Sequence, residues 1–170
     1  SVAEDWSVSK DGLTYTYKIR KGIKWYTNEG EEYGEVKAQD FVTGLKHAVA
    51  KKSQALYLVQ DSIKGLDDYI NGKTNDFSTV GIKATDDYTL VYTLNNPESF
   101  WNSKTTMGVL APINEDFLAS KGDDFGKPTD VTSILYNGPY LLKGLTSKSS
   151  IEMTKNQNYW DKQNVFIDDI

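Results

Sequence analysis

Alternating apolar and polar residues predict a β-hairpin at the beginning of the chain. Apolar side chains occupy every second position of one short segment: Leu13, Tyr15, Tyr17 and Ile19. This period of two places them on one face of a strand. Asp11 and Gly12 come just before it, and this dipeptide tolerates the positive φ of a tight turn. The pattern indicates a half-buried antiparallel strand that follows a hairpin turn.

From position 38 the apolar period changes to that of a helix. Apolar residues recur three and four positions apart and share one helix face: Ala38, Phe41, Val42, Leu45, Ala48 and Val49. Lys51 and Lys52 follow, where the helix dipole favours positive charge. His47, the only histidine, falls on the opposite, polar face of this helix. We therefore expect His47 to be solvated.

Shorter helical pieces are predicted further along the chain. Residues 53–70 carry apolar side chains at three- or four-residue spacing, and Asn71 and Gly72 supply a C-terminal stop. Residues 98–107 show a weaker helical pattern, and residues 112–118 indicate the first turns of a short helix.

A second hairpin and later strands complete the pattern. Residues 80–84 and 89–94 flank a turn at Asp86 and Asp87. Short apolar runs near the C-terminus predict further strands at 140–142 and 151–153 and the start of another at 165–170.

The order of these elements predicts the fold class. Hairpin, helices, hairpin, helices and further strands follow one another, with no repeating βαβ unit. Residues 27–37 and 121–130 lack an apolar period and are predicted to be polar loops. We expect an α+β fold of mixed helices and mainly antiparallel strands.

Composition excludes several classes of protein. The chain has 170 residues, 19 Lys and Arg against 24 Asp and Glu, a net charge of −5 and no Cys. Nucleic-acid binders need a clustered cationic surface, so no nucleic-acid partner is expected. The lack of cysteine excludes disulfides and thiolate–metal sites, and no metal site or cofactor is predicted. We expect neither a membrane span nor a signal peptide in this sequence.

Both ends of the sequence suggest a fragment of a longer protein. The chain begins at Ser1 rather than at an initiator methionine, and it stops within the apolar alternation at 165–170. Any function that needs residues from other segments is then only partly visible in this chain.

Motifs for catalysis are largely absent from the sequence. There is no glycine-rich phosphate loop, no HExxH and no GxSxG. Adjacent acids remain as candidates for a hydrolase with an acid pair: Glu31-Glu32, Asp67-Asp68, Asp86-Asp87, Asp123-Asp124 and Asp168-Asp169. Neighbouring side chains point in different directions on strands and helices, so solvated turns and faces are the favoured interpretation. A calcium site at Asp123-Asp124 lacks the loop that such sites use.

Aromatic residues admit two interpretations. The chain has 4 Trp, 11 Tyr and 6 Phe. Those on clear apolar stripes are predicted to be core residues: Tyr15, Tyr17, Phe41 and Tyr92. Tyr57, Trp101 and Tyr140 lie at segment ends or beside Gly and Pro, where contact with a ligand competes with burial. A carbohydrate-binding module with exposed aromatic platforms is therefore an alternative function.

Five ordered segments resemble one known family. They are DGLTYTYKIRKGIKW (11–25), VKAQDFV (36–42), VGIKATDDYTL (80–90), YNGPY (136–140) and KNQNYW (155–160). In this order they are similar to the extracytoplasmic solute-binding proteins of peptide ABC importers. Residues 24–30 and 97–104 look closest to the Gram-positive oligopeptide-binding lipoproteins of the Ami/Ali type. One departure is the longer acidic loop at 29–35, where family contacts do not carry over.

The resemblance implies a fold and a domain division. Family members have the type II periplasmic-binding-protein-like fold of the peptide-binding cluster, with two ligand lobes and an extra α+β domain. Residues 1–136 correspond to the extra domain with a partial N-terminus. Residues 137–170 correspond to the crossover and the incomplete start of the segment that returns to lobe one.

The resemblance also implies a function, which is peptide binding and delivery to an ABC transporter without enzyme activity. The expected partners are oligopeptides and the permease subunits, and the parent protein is expected to be a lipid-anchored monomer on the extracellular face of the cell membrane. Tyr57 is the one ligand-binding residue that carries over. The hinge or crossover corresponds to Asn137, Gly138, Pro139 and Tyr140.

Overall fold

The computed structural model describes residues 1–146 and 148–170. Its strands are β1 (Ala3–Val8), β2 (Thr14–Ile19), β3 (Lys24–Tyr26), β4 (Glu32–Glu35), β5 (Ile82–Asp86), β6 (Thr89–Thr93), β7 (Tyr140–Thr146) and β8 (Ser150–Lys155). Its α-helices are α1 (Ala38–Ala50), α2 (Leu66–Ile70), α3 (Trp101–Lys104) and α4 (Glu115–Lys121). Short 3₁₀ helices lie at Gln54–Leu58, Phe77–Thr79, Gly108–Leu110, Gly122–Asp124, Val131–Ser133 and Lys162–Asn164. The predicted α+β class is confirmed.

The described chain forms two compact units. Unit 1 contains residues 1–21 and 37–113, and unit 2 contains residues 22–36 and 114–170. The two units are defined by the spatial contacts within this chain. The domain boundary predicted between residues 136 and 137 instead refers to the extra domain and lobe one of a longer protein. That division stays a prediction.

Unit 1 is built on a four-stranded antiparallel sheet with the strand order β1-β2-β6-β5. Both hairpins predicted from the sequence are confirmed, and Gly12 takes φ +73° in the first turn. In the register of β2 and β6, Tyr15 lies opposite Tyr92 and Tyr17 lies opposite Leu90. All four side chains are buried, so the predicted period of two marks the core face of this sheet.

Helix α1 packs against β5 and β6 in unit 1. Its first turn is closed by the buried Asp40, whose carboxylate accepts the backbone N–H of Lys37 at 3.0 Å. Gly44 lets the helix approach residues 108–113 closely, because a Cβ there would lie 2.1 Å from the carbonyl oxygen of Ala111.

His47 differs from its predicted environment. It is half-buried rather than solvated, since residues 107–113 line a pocket with this side of α1. Burial, together with the charge of Lys51, lowers the pKa of His47. The helical period alone placed His47 opposite the core stripe and did not reveal the segment that covers it.

Unit 2 contains two separate ribbons, β3-β4 and β7-β8, each with two antiparallel strands. The polar loop predicted at 27–37 is partly wrong, because Glu32–Glu35 forms β4. This strand has the sequence EYGE and contains no buried residue, so no apolar alternation marks it. Pairing with β3 supplies its backbone hydrogen bonds instead.

The predicted strand start at 165–170 is an isolated bridge in the structure. Thr154 of β8 lies opposite Asp169. Met153 and Ile170 exchange both backbone hydrogen bonds at 2.9 Å. The segment therefore runs beside β8 without forming a regular strand.

Candidate functional site

The turn at residues 137–140 lies in unit 2 and leads from a β-bridge into β7. Tyr26 of β3 and Tyr136 exchange backbone hydrogen bonds of 2.7 and 2.8 Å. Asn137, Gly138 and Pro139 follow, and all are half-buried. The predicted crossover residues thus occupy one continuous turn whose two ends are held by antiparallel pairing.

Asn156, just after β8, holds this turn from inside. Its backbone N–H donates to the carbonyl of Pro139 at 2.8 Å, and its side-chain Nδ2 donates to the carbonyl of Gly138 at 3.1 Å. Its Oδ1 accepts the backbone N–H of Asn158 at 3.0 Å. Asn156 is 0% exposed, so these bonds satisfy a fully buried amide.

The loop before β4 is tied to the same segment. The hydroxyl of Tyr26 donates to the carbonyl of Asn158 at 2.9 Å, and Nδ2 of Asn158 donates to the carbonyl of Gly30 at 3.2 Å. Lys143 of β7 donates to the carbonyl of Asn28 at 2.9 Å. Residues 26–31, 136–140 and 156–158 therefore form one hydrogen-bonded cluster, here called the turn cluster.

Burial controls the protonation of the tyrosines in the turn cluster. Burial raises the pKa of Tyr136 to about 12, with a further contribution from the charge of Asp130. Burial and the neighbouring Glu32 raise the pKa of Tyr26. Both phenols therefore stay neutral at physiological pH and serve as hydrogen-bond donors. The cluster presents backbone and amide groups, which suit binding and positioning rather than acid–base chemistry.

Tyr140 is the last residue of the turn, but its side chain bonds to the C-terminal segment and not to the turn. It is the first residue of β7, and its hydroxyl donates to the carbonyl of Ile167 at 3.1 Å. This bond links the beginning of β7 to the C-terminal segment that runs beside β8.

Tyr57 lies in unit 1, on the 3₁₀ helix Gln54–Leu58. Ser53 caps this helix by accepting the backbone N–H of Ala55 at 3.3 Å. The Tyr57 side chain is 75% exposed, whereas its neighbour Leu56 is buried in the core. An exposed aromatic ring on a rigid turn is available for contact with a ligand. The turn cluster and Tyr57 belong to different units, so they are described separately.

Trp101, the remaining aromatic candidate, belongs to the core, whereas Trp6, which stacks on a buried ring, is 50% exposed. Trp101 is 0% exposed and packs against Tyr92 at 5.2 Å between ring centroids. Trp6 and Tyr15 stack almost in parallel, with 16° between their rings, but Tyr15 is buried. Neither pair forms the exposed platform that a carbohydrate-binding module needs.

The adjacent acids have local structural partners. Asp68 pairs with Lys73 and Asp87 pairs with Lys37, both through short ion pairs of 2.7 and 2.8 Å. Asp86 accepts the backbone N–H of Tyr88, and this hydrogen bond lowers its pKa. Glycosidase acids require a raised pKa, so this arrangement does not favour a hydrolase.

The described residues offer neither a cluster of metal ligands nor a helix that could span a membrane. Residues 1–146 and 148–170 hold no cluster of three or more His, Cys, Asp or Glu side chains that could bind a metal ion. Across the same described residues, each helix is too short or too polar to cross a bilayer.

Sequence reasoning did not assign a role to Asn156. The segment KNQNYW was noted only for its resemblance, although an Asn between a strand and a turn signal is a common partner for backbone groups. The 3.1 Å bond to Gly138, 18 residues away in sequence, could not be seen from local pattern.

Comparisons with known proteins identify close relatives. A model of the family described as bacterial extracellular solute-binding proteins, family 5 Middle, matches residues 1–170. Oligopeptide-binding protein SarA of Streptococcus gordonii is 71% identical over 170 residues, which are 100% of this chain and 26% of SarA. Oligopeptide-binding protein AliA of Streptococcus pneumoniae is 73% identical with the same coverage. The chain therefore spans about a quarter of the length of these relatives.

Solved structures of similar proteins share the fold. The substrate-binding domain of an oligopeptide ABC transporter from Bacillus anthracis has a TM-score of 0.89 and 29% identity, over 100% of this chain and 32% of that chain. Listeria monocytogenes OppA bound to peptide has a TM-score of 0.86 and 34% identity, with the same coverage.

Proposed function

Because the chain belongs to the family 5 bacterial extracellular solute-binding proteins, we propose that it is part of a receptor that binds oligopeptides and delivers them to an ABC importer. One observation carries this proposal. Three streptococcal proteins named as oligopeptide-binding are 68% to 73% identical to this chain over all of its 170 residues. Their names concern whole proteins, so the activity of the whole receptor is proposed here rather than that of this chain alone.

The proposed receptor is a binding protein without enzyme activity, on the extracellular face of the membrane. The receptor is attached to the membrane by a lipid anchor elsewhere in the parent protein and acts as a monomer. It delivers bound peptide to the permease subunits. The family name supports the extracellular location. The internally hydrogen-bonded turn cluster, and Asp86, whose pKa is lowered by the backbone N–H of Tyr88, support binding over catalysis.

Within this receptor, residues 1–136 act as the extra domain and residues 137–170 as the crossover and the returning part of lobe one. Asn137, Gly138, Pro139 and Tyr140 carry the chain between these parts. Their support is the turn geometry, in which paired strands hold both ends and hydrogen bonds hold the middle.

Tyr57 is the proposed ligand contact of this chain. Its support is a 75% exposed ring next to a buried anchor, Leu56. Replacing Tyr57 by Ala removes the ring and leaves the helix and its cap in place.

Isothermal titration of the longer receptor that carries this sequence tests these roles. A mixture of peptides of different lengths is expected to bind, and Tyr57→Ala is expected to weaken binding several-fold. Phe100→Ala is the matched control, since Phe100 is also an exposed aromatic residue of unit 1, at 56% exposure. Binding of a sugar or a metal ion without any binding of peptide would contradict the proposed function. Equal losses for both variants would contradict the role of Tyr57.

The isolated chain is expected to bind peptide weakly. One wall of a cleft buries too little of an extended ligand to offset the cost of ordering it. A sub-micromolar complex with the 170-residue chain would contradict this expectation.

A further inference from the structure

Asn156 is unusual among the residues around the turn because it is a polar side chain with no exposed surface. A buried amide that lost its partners would cost free energy, so its hydrogen bonds restrict where neighbouring backbone groups can lie. One side-chain bond falls on the turn, since Nδ2 of Asn156 donates to the carbonyl of Gly138 at 3.1 Å. The backbone N–H of the same residue donates to the carbonyl of Pro139 at 2.8 Å.

Packing does not restrict the turn at Gly138. A Cβ built on Gly138 would meet no atom within 4 Å, and its φ is not in the left-handed region. The side chains of Asn137 and Pro139 are only half-buried. Close packing at Gly138 therefore does not fix the turn, and hydrogen bonds to its carbonyl groups act on its path together with the fixed φ of Pro139.

The same residue reaches a second loop through Asn158. Oδ1 of Asn156 accepts the Asn158 N–H at 3.0 Å, and Asn158 in turn bonds Tyr26 and Gly30. A change at Asn156 should thus alter the turn first and residues 27–31 second.

We propose that Asn156 is the positioning residue of the turn cluster: its side-chain amide fixes the path of residues 137–140 and, through Asn158, couples that path to residues 27–31. The further consequence, that peptide affinity depends on Asn156, rests on the proposed function. Asn156 itself acts through the turn and is not assigned a contact with peptide.

Asn156→Asp provides the sharpest test, because it preserves shape and an acceptor oxygen but replaces the Nδ2 donor. While the new carboxyl group is ionised, its oxygen faces the carbonyl of Gly138 and donation becomes repulsion. Because burial raises the pKa of a carboxyl group, exchange is measured at a pH high enough to ionise it. In the longer receptor, amide hydrogen exchange is expected to quicken at least tenfold at Tyr136 and Asn156, whose N–H groups bond at the two ends of the turn. It is expected to change less at Asn158, because the variant keeps the oxygen that accepts this N–H. Unchanged exchange at both Tyr136 and Asn156 would overturn the positioning role.

Asn158→Ala is the second variant and remains informative if Asn156→Asp does not fold. Asn158 is exposed, and its backbone N–H survives the substitution. Exchange is expected to quicken in residues 27–31 and to change less than twofold at Tyr136. A larger increase in exchange rate at Tyr136 than in residues 27–31 would contradict the proposal that Asn158 connects Asn156 to these residues.

Peptide affinity separates positioning from loss of stability. Ile63→Val is the control, because Ile63 is fully buried in unit 1 and its substitution lowers stability without touching the turn cluster. Asn156→Asp is expected to weaken peptide binding at least tenfold, and Ile63→Val less than twofold. Equal changes in the two variants would overturn the effect on affinity. A wild-type receptor that binds no peptide would instead contradict the proposed function. The amide exchange rates would still test the positioning role of Asn156 in that case.

Discussion

Different kinds of interaction predominate inside unit 1 and inside unit 2. Unit 1 contains a cluster of seventeen buried apolar residues under a four-stranded sheet. Six buried apolar residues of unit 2 lie on several segments: Ile23, Trp25, Tyr26, Val36, Phe117 and Leu141. Unit 2 also contains the buried Asn156 and the hydrogen bonds of the turn cluster.

The difference separates stability from geometry. Apolar burial stabilises in proportion to area and has little directional preference, so it suits a scaffold. Hydrogen bonds contribute less net free energy each but require defined distances and angles. We therefore expect unit 1 to supply most of the stability, and the turn cluster of unit 2 to supply a defined chain path.

Removal of a large core side chain from unit 1 should have the largest effect. Trp101 is fully buried and packs against Tyr92 and Tyr15. Trp101→Ala is expected to lower the free energy of unfolding by about 3–5 kcal/mol. Chemical denaturation measures this loss, with the 86% exposed Phe166→Ala as control. A similar loss of stability in both variants would contradict the conclusion that the buried core of unit 1 supplies most of the stability.

Overpacking of unit 1 should have the next largest effect. The Cβ of Gly44→Ala would lie 2.1 Å from the carbonyl oxygen of Ala111, so α1 must move away from residues 108–113. The expected loss of stability is about 1–3 kcal/mol. Gly34→Ala in unit 2 is the matched control, because nothing lies within 4 Å of its Cβ. Thermal unfolding of the two variants side by side would show whether close backbone packing matters.

Alkaline pH tests the buried phenols of unit 1. Burial and the neighbouring Tyr15 raise the pKa of Tyr17 to about 12, above the ordinary value of about 10 for the unfolded chain. The unfolded chain loses this proton first, so the contribution to stability is complete below pH 10 and is lost as pH rises toward about 12. Denaturation between pH 8 and 11 should show a shallower decline for Tyr17→Phe. Identical slopes in variant and wild type would refute this assignment.

A single hydrogen bond of unit 2 should matter less than a core side chain of unit 1. The hydroxyl of Tyr136 donates to the carbonyl of Val131 at 2.8 Å. Tyr136→Phe is expected to lower the free energy of unfolding by about 1 kcal/mol. Tyr57→Phe serves as the exposed control and should leave the unfolding midpoint unchanged. A loss as large as that of Trp101→Ala would mean that the polar network dominates stability.

The smallest effect should be a gain at the end of α1. Lys52 takes φ +52°, a left-handed conformation that disfavours residues with a Cβ. Lys52→Gly is expected to raise the free energy of unfolding by about 0.5–1 kcal/mol, because glycine adopts this conformation without strain. Lys51→Gly is the control and should not stabilise, since Lys51 has φ −88°.

Periodicity predicted the elements of unit 1 better than those of unit 2. The alternation through Tyr15 and Tyr17 corresponds to a strand with one buried face, and the helical stripe from Ala38 corresponds to α1. Strand β4 was not predicted because none of its residues is buried and its sequence has no apolar alternation. The sequence does not distinguish core packing from ligand contact for Trp101, since a single aromatic residue at the start of a helix shows no periodicity.

The candidate site was predicted in part. The turn at 137–140 was expected from Asn, Gly and Pro in succession and from the family resemblance, and the structure shows a turn there. Whether it acts as a crossover in the receptor, and whether Tyr57 contacts peptide, remain predictions. The role of Asn156 was not predicted because its partners at Gly138 and Pro139 are distant in sequence.

Residue patterns alone predict the α+β class, both hairpins of unit 1, α1 and the family, because periodicity and motifs can be recognised within short segments. The core position of Trp101, the partial burial of His47 and the hydrogen bonds of Asn156 to the turn become visible only in the folded chain. These outcomes depend on which distant segments pack together. Burial and hydrogen bonding between residues far apart in sequence are properties of the folded chain, and no local pattern specifies them.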